Sequence, residues 1–283
     1  MIYGHILWER VFDYLKKQLP EKSIRNINDH NYIKRAATEE DLIILLKLGK
    51  GAQKLQEEFQ AKGYKLYPNP VFSNFLRNRS RYLEEVDTIT NYALKRMSFN
   101  SIYQVNKVPN ISDKVVMKIG DYHCGENKWL LGAGDKVPYI KHKLRQEPVL
   151  FEEFVPNARS IRIGIVGDPN KEESYFITEH TNSEYAKQNT HTSWIKNISP
   201  TETTYLHYEK ENLQISEISD LIHETREFAS RYNTDLIGVD WVVSEDKIGL
   251  LELNDMIGIP DDERVLRMFQ EHILNLCIKY LGS

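Results

Sequence analysis

The segment GVDWVVSEDKIGLLELND carries three oxygen-bearing side chains, Asp240, Glu252 and Asn254, on two stretches that otherwise read as apolar strands. Alternate side chains of a strand share a face, so Glu252 and Asn254 point the same way. A three-residue hairpin loop, Glu245 to Lys247, sets Asp240 directly opposite Glu252 and brings all three oxygens together, whereas a two-residue loop puts Asp240 on the other face. Two carboxylates and an amide oxygen make a hard, anionic set suited to Mg²⁺, which keeps several waters and completes its shell with substrate phosphates. The competing account is a pair of exposed strand carboxylates with Asn254 capping a turn.

Two further pieces have chemistry of a related kind. Lys118 ends the apolar strand VVMKI, and a loop with glycines at 120 and 125 follows. A lysine so placed reaches phosphate oxygens as a point charge while backbone N–H groups of the loop close over them. An ordinary hairpin with a solvent-facing lysine is the plainer alternative, and no P-loop or dinucleotide fingerprint is present. In VLFEEFVPNARSIRIGIVGD, a strand, a short connector and another strand, the extended backbone from Glu153 to Val155 offers a donor and an acceptor to a purine edge, with Phe154 or Val155 closing off the ring. Arg162 alternates with Ile161 and Ile163, so it projects from one face, where its fork of donors suits a phosphate or carboxylate oxygen. Its alternative is a surface cation paired with a nearby carboxylate.

These residues need elements to hold them. The first seventy residues read as a small α/β lobe: DLIILLKLG (Asp41 to Gly49) suits a buried strand, Ala52, Leu55 and Phe59 recur at helical spacing, Gly63 stops that helix, and YKLYPNP is a short extended segment. Residues 71 to 108 are charged and aromatic with helical stretches whose boundaries the pattern does not place. From Val115 the β-branched runs VVMKI, PVLFEEFV, SIRIGIVGD and SYFIT predict an antiparallel sheet. A helical stripe over Ile218 to Ala229 precedes the strands LIGVDWVV and IGLLELN, and a last helix from about Asp261 buries Val265, Phe269, Ile273, Leu276 and Tyr280.

Composition narrows the class. With 283 residues the chain can bury a sizeable core, and no apolar run approaches the roughly 18 residues of a membrane span. The N-terminus lacks the features of a signal peptide, and Cys124 and Cys277 lack the paired spacing of a zinc site or disulfide framework; both point to the cytoplasm. A net charge of −4 argues against general attraction to nucleic acid. Lys136 to Arg145, with Lys141 and Lys143, is the best local basic patch, either a solvated face or an attractor for an acidic peptide.

Taken in order, Lys118, the Gly120 to Gly125 loop, Glu152-Glu153-Phe154-Val155, Ile161-Arg162, Gly238-Val239-Asp240 and Glu252-Leu253-Asn254 resemble the ATP-grasp superfamily over roughly residues 110 to 260. EEFVPNARSIRIGIVGD and GVDWVV…LLELN look most like the branch containing ribosomal-protein glutamate ligases and glutathione synthetases. The resemblance implies an α/β (α+β) fold in which two α+β subdomains clasp ATP, with residues 1–70 as a reduced N-terminal α/β lobe and 71–283 as the ATP-grasp domain. It implies that Lys118, Gly120 and Gly125 meet the phosphates, that Glu152, Glu153, Phe154 and Val155 cradle adenine, and that Asp240, Glu252 and Asn254 hold Mg²⁺. Arg162 would sit at the transferred phosphoryl group and act with Lys118 in catalysis. Relatives carry an earlier basic residue on the nucleotide, for which Arg77, Arg79 and Arg81 are candidates. This chain departs from the pattern at Ser160, where an acid is common, and in the few glycines of GDYHCGEN.

The activity so implied is ATP-dependent joining of a carboxylate to an amine through an acyl phosphate, the acceptor being an amino acid, a peptide or a protein tail. His180 and Asn197 lie where relatives line the acceptor site, though a polar surface loop accounts for them equally well. A phosphotransferase on the same scaffold and a nucleotide-binding module without turnover stay open as alternatives. Many relatives are dimers or tetramers, so a homo-oligomer stays open too.

Overall fold

The computed structural model describes residues 1–4, 9–19, 24–26, 30–44, 50–120, 127–182, 203–255, 257–258 and 262–282. The first sheet is parallel. Its strands β1 (Ile2–Gly4), β2 (Ile24–Asn26), β3 (Leu42–Ile44) and β4 (Lys65–Tyr67) lie in the order β2-β1-β3-β4. Parallel neighbours need crossovers, and α1 (Glu9–Gln18), α2 (His30–Ala36) and α3 (Lys50–Ala61) lie in them. Leu55 and Phe59 are buried as their spacing predicts, and Gly63, just beyond α3, takes φ 79, a conformation that suits glycine at a helix end. Of the expected strand Asp41 to Gly49, residues 45–49 lie outside the described residues.

Residues 71 to 108 form two short helices and a strand: α4 (Pro70–Phe75), α5 (Arg79–Asp87) and β5 (Arg96–Phe99). Asparagines start both helices. The Asn69 side chain accepts the N–H of Val71 at 3.0 Å, and that of Asn78 accepts the N–H of Arg81 at 3.1 Å. With so few turns, neither helix repeats its apolar positions often enough to print a stripe.

The strands from Val115 onward were expected as one antiparallel sheet; the chain divides them between two. β6 (Lys114–Ile119), β7 (Lys128–Gly132) and β8 (Val149–Glu153) join β5 in the order β5-β8-β6-β7. β9 (Arg159–Val166), β10 (Tyr175–Asn182), β11 (Thr203–Tyr208), β12 (Leu236–Val243) and β13 (Ile248–Asn254) build the larger one, ordered β11-β10-β9-β12-β13. The break falls between β8 and β9, where Pro156 has no N–H to give a ladder and Asn157 turns left-handed at φ 55.

One face of the larger sheet is apolar over most of its extent, with the Arg159–Glu179 ion pair at one end. Ile161, Ile163, Val239 and Trp241 pack there against Leu221, Ile222 and Phe228 of α6 (Ile218–Arg231). Its other face is apolar only at one end, where Val166, Phe176 and Leu236 meet Phe269 and Ile273 of α7 (Glu263–Leu281), in a core that also takes in Ile2 and Phe12 of the first lobe. The α7 stripe differs in part from expectation. Val265, Phe269 and Ile273 are buried, but Leu266 and Cys277 complete the row, and Leu276 and Tyr280 are only half-buried. No helix among the described residues is long and apolar enough to cross a membrane. The basic stretch crosses the back of the small sheet, with Ile140 and Leu144 buried and Lys136, Lys141 and Lys143 exposed.

Gly164 and Gly238 stand opposite one another where the second face of the larger sheet changes from apolar to polar. A Cβ at Gly164 would lie 2.3 Å from the Phe176 ring, and one at Gly238 would lie 2.3 Å from Ile257 Cγ2. Phe176 is packed against Phe269 and has little room to give. Gly164→Ala is therefore expected to lose roughly 1–3 kcal/mol by overpacking, read as a lower urea midpoint at unchanged slope; an unchanged midpoint would contradict this packing.

Candidate functional site

The hairpin between β12 and β13 turns in two residues, Glu245 and Asp246, because Ser244 N–H already bonds Lys247 C=O at 2.8 Å. That corrects the three-residue loop. It does not separate the carboxylates, since a β-bulge inserts Leu251 and shifts the register by one: Trp241 faces Leu250, but Asp240 faces Glu252 and Gly238 faces Asn254. Asp240, Glu252 and Asn254 thus share the polar end of the second face of the sheet.

Arg162 faces Asp240 on the neighbouring strand β9 and holds it by two parallel hydrogen bonds, Nε to Oδ1 at 2.6 Å and a terminal nitrogen to Oδ2 at 2.7 Å. Asn254 Nδ2 donates to Asp240 Oδ2 at 3.2 Å. The Arg162 side chain passes over Gly238, where a Cβ would stand in ordinary contact at 3.4 Å from its Cδ; the close approach that requires the glycine is that of Ile257, at 2.3 Å. Glu252 meets Arg79, the first residue of α5, at 3.2 Å. Of the three upstream arginines, only Arg79 is placed against these carboxylates: Arg77 pairs with Glu57 on α3, and Arg81 is exposed.

The small sheet presents the opposing wall. Lys118 is 5% exposed and its ammonium lies 2.6 Å from Glu152 Oε1, while Arg96 Nε donates to Glu152 Oε2 at 2.8 Å. Burial pushes the Glu152 carboxyl up, but the two cations outweigh burial and hold it below its ordinary value. Arg96 also meets Asp87 and the C=O of Leu250. Glu153 accepts the N–H of Lys95 at 2.8 Å and pairs with Lys247. The purine-edge reading of Glu153 to Val155 narrows here, because the N–H groups of Glu153 and Phe154 are donated to Lys95 C=O at 2.9 Å and Lys114 C=O at 3.0 Å. The segment sits where the chain leaves the small sheet for the larger one. Gly120 takes φ 65 and donates its N–H to Pro148 C=O at 2.8 Å. Gly125 lies outside the described residues, as does Asn197.

Lys128, which motif reasoning missed, stands directly opposite Lys118 on β7. On β10, Thr178 faces Arg162 and His180 faces Ser160, so these hydroxyls and the ring join the same polar surface. Burial, then the charge of Arg162, pushes the His180 imidazole down to about 4 against the pull of Asp240 and Glu252. Cys277 lies apart from these residues, on the buried face of α7, with its thiol pushed up to about 12 by burial.

Among the described residues no three histidine, cysteine, aspartate or glutamate side chains gather as a metal site. Asp240, Glu252 and Asn254 supply two carboxylates and an amide, and this donor set fits a hard divalent cation that completes its shell with water and phosphate. Turning the Asn254 amide over would present its oxygen in place of Nδ2.

No family model matches the chain, and no curated protein matches it. Solved structures do. The chain is similar to a D-alanine–D-alanine ligase from Bacillus anthracis over 98% of this chain and 98% of that one, with a TM-score of 0.64 and 11% identity. It is similar to a RiPP-associated ATP-grasp ligase from Chryseobacterium gregarium, in complex with ADP and a leader and core peptide, over 98% and 96%, with a TM-score of 0.61 and 15% identity. A macrocyclase bound with a precursor peptide, from Microcystis aeruginosa, matches over 97% and 100% with a TM-score of 0.58 and 12% identity. At these identities the likeness is one of fold, and the fold is the ATP-grasp fold.

The surroundings of His180 make its charge testable. Its folded pKa lies below the unfolded value, so the stability its neutral burial confers is complete above about 6.5 and declines as pH falls toward 4. By NMR of the metal-free protein, the His180 ring is expected to stay neutral from pH 8 to about pH 5; a midpoint near 6.5 would contradict the buried setting.

Proposed function

We propose that the chain is an ATP-dependent carboxylate–amine ligase that forms an amide or peptide bond through an acyl phosphate, with residues 71–283 as the nucleotide-clasping domain and 1–70 as the N-terminal lobe. The observation that carries this reading is the convergence of Asp240, Glu252, Asn254 and Arg162 on one polar sheet face, opposite Lys118 from the small sheet and next to Arg79. The ATP-grasp fold supports it, as do its neighbours, a D-alanine–D-alanine ligase, an ATP-grasp ligase and a macrocyclase, the last two in complex with peptides. The EEFV and LELN segments favour the branch of ribosomal-protein glutamate ligases and glutathione synthetases, and a peptide or amino-acid acceptor.

Each carboxylate in the site is matched to a cation: Asp240 to Arg162, Glu252 to Arg79, Glu152 to Lys118. Asp240, Glu252 and Asn254 would hold Mg²⁺, whose chemistry is to neutralise phosphate charge. Nucleotide binding then exchanges partners, the two arginines turning to phosphate oxygens so that neither the acids nor the cations are left bare. Lys118 keeps Glu152 as its anchor, which aims the ammonium. Glu153 to Val155, at the crossing between the sheets, border the base.

A substrate carboxylate oxygen attacks the γ-phosphorus as the bond to the β-phosphate oxygen breaks and ADP leaves. Arg162 steadies the charge on the transferred group. The amine nitrogen then attacks the acyl carbon, the C–O bond to phosphate breaks, and the amine proton departs with the products. His180, held neutral, lines the acceptor side as a hydrogen-bonding group.

With ATP and Mg²⁺, a panel of carboxylates and amines is expected to yield ADP, free phosphate and amide in equal amounts only when both partners are present. Glu252→Ala should abolish this turnover while the melting transition survives. A product that keeps the phosphate would assign a phosphotransferase instead, and full activity in Glu252→Ala would sink the metal assignment.

A further inference from the structure

The cationic side chains around the site in the described residues are, with one exception, matched to acids. Arg162 holds Asp240, Arg79 meets Glu252, Lys118 meets Glu152, and Arg96 lies between Glu152 and Asp87. For the Lys128 ammonium, no ion pair and no hydrogen bond is formed with any described residue.

The ladder fixes its place. Lys128 is the first residue of β7 and pairs in register with Lys118, so the two ammonium-bearing side chains leave the same face of the small sheet. Like charges directly across an antiparallel pair are destabilising. Burial adds to that cost: it pushes the Lys128 ammonium down to about 8, with Lys118 and Arg79 pushing the same way and Glu252 and Glu152 pulling against them. A half-buried cation set beside another one serves folding poorly. It serves an anion well, because two ammonium groups and a guanidinium converge without any need to assemble them first.

We infer that Lys128 is a second phosphate-binding lysine, which grips the polyphosphate of a nucleoside di- or triphosphate together with Lys118 and Arg79. The inference rests on the nucleotide reading above. It also answers a peculiarity of the sequence. The segment joining the two lysines, IGDYHCGEN, has only two glycines, the residues that most readily let backbone N–H groups approach phosphate oxygens. A side-chain ammonium at the far end of that segment adds a donor to whatever backbone N–H groups the segment offers.

The test compares ADP affinity by calorimetry, with Mg²⁺ chelated, and the melting temperature without nucleotide, for wild type, Lys128→Met and Lys128→Arg. Lys128→Met is expected to bind ADP at least tenfold more weakly while melting no lower than wild type, because it removes a repelled cation and keeps the apolar stem. Lys128→Arg should restore ADP affinity to within a few fold. A lysine with only a packing role predicts the reverse, a lowered melting temperature with ADP affinity intact, and that result would overturn the assignment. If wild type itself fails to bind ADP at millimolar concentration, the nucleotide reading falls and takes this inference with it; ADP binding that Lys128→Met leaves unchanged removes the inference alone.

Discussion

The buried guanidinium of Arg96 is the joint on which the site depends. From β5 of the small sheet it donates to Glu152 Oε2 at 2.8 Å, meets Asp87, and reaches across to the larger sheet, where it contacts the C=O of Leu250 and lies 3.4 Å from that of Leu251. Those carbonyls belong to the β-bulge. A bulge leaves backbone groups outside the ladder, and a buried carbonyl without a donor is costly, so an arginine with several donors in a fixed fork is a fitting partner. One cation thereby secures Lys118 through their shared Glu152 and secures the slipped register that places Glu252 opposite Asp240. The small sheet and the hairpin are held in one frame by charge-assisted bonds.

A second constraint lies within the larger sheet. One strand face is core at one end and polar surface at the other, and the change occurs within a single ladder step at Gly164 and Gly238. Below it, Phe176 fills the space over Gly164; above it, the Arg162 side chain lies close to Gly238. Two residues without side chains let Phe176 and Ile257 close over the backbone at the point where the arginine–aspartate pair begins. The polar end then gathers Asp240, Glu252, Asn254, Arg162, Thr178 and His180, each fixed by register.

Much of this was legible in the sequence, for reasons that differ by residue. Asp240, Glu252 and Asn254 stood out because acids and amides are rare on strands that are otherwise apolar, and strand alternation then fixed which of them share a face. Their convergence was foreseen through the wrong turn: bulge and loop length trade against each other, and the same pairing follows from a three-residue loop or from a two-residue loop plus one bulged residue. Arg79 could not be separated from Arg77 and Arg81, since only the start of a nine-residue helix, capped by Asn78, decides which of them turns to Glu252. Arg96 and Lys128 gave no local signal. Each is one cation on a short strand, and its importance comes from contacts with residues more than 50 positions away or from a register set by loop length. The division of the β-rich half into two sheets was missed too, although Pro156 and Asn157 mark the break.

The claim that these residues form a Mg²⁺-nucleotide site is tested most directly by the melting temperature of wild type and Glu252→Ala with millimolar ADP, in the presence and absence of Mg²⁺. A ligand that binds only the folded state raises the transition as its concentration exceeds its dissociation constant. The account predicts a rise for wild type that is larger with Mg²⁺, and loss of that Mg²⁺-dependent increment in Glu252→Ala. An equal rise in both proteins, or none in wild type, would contradict it.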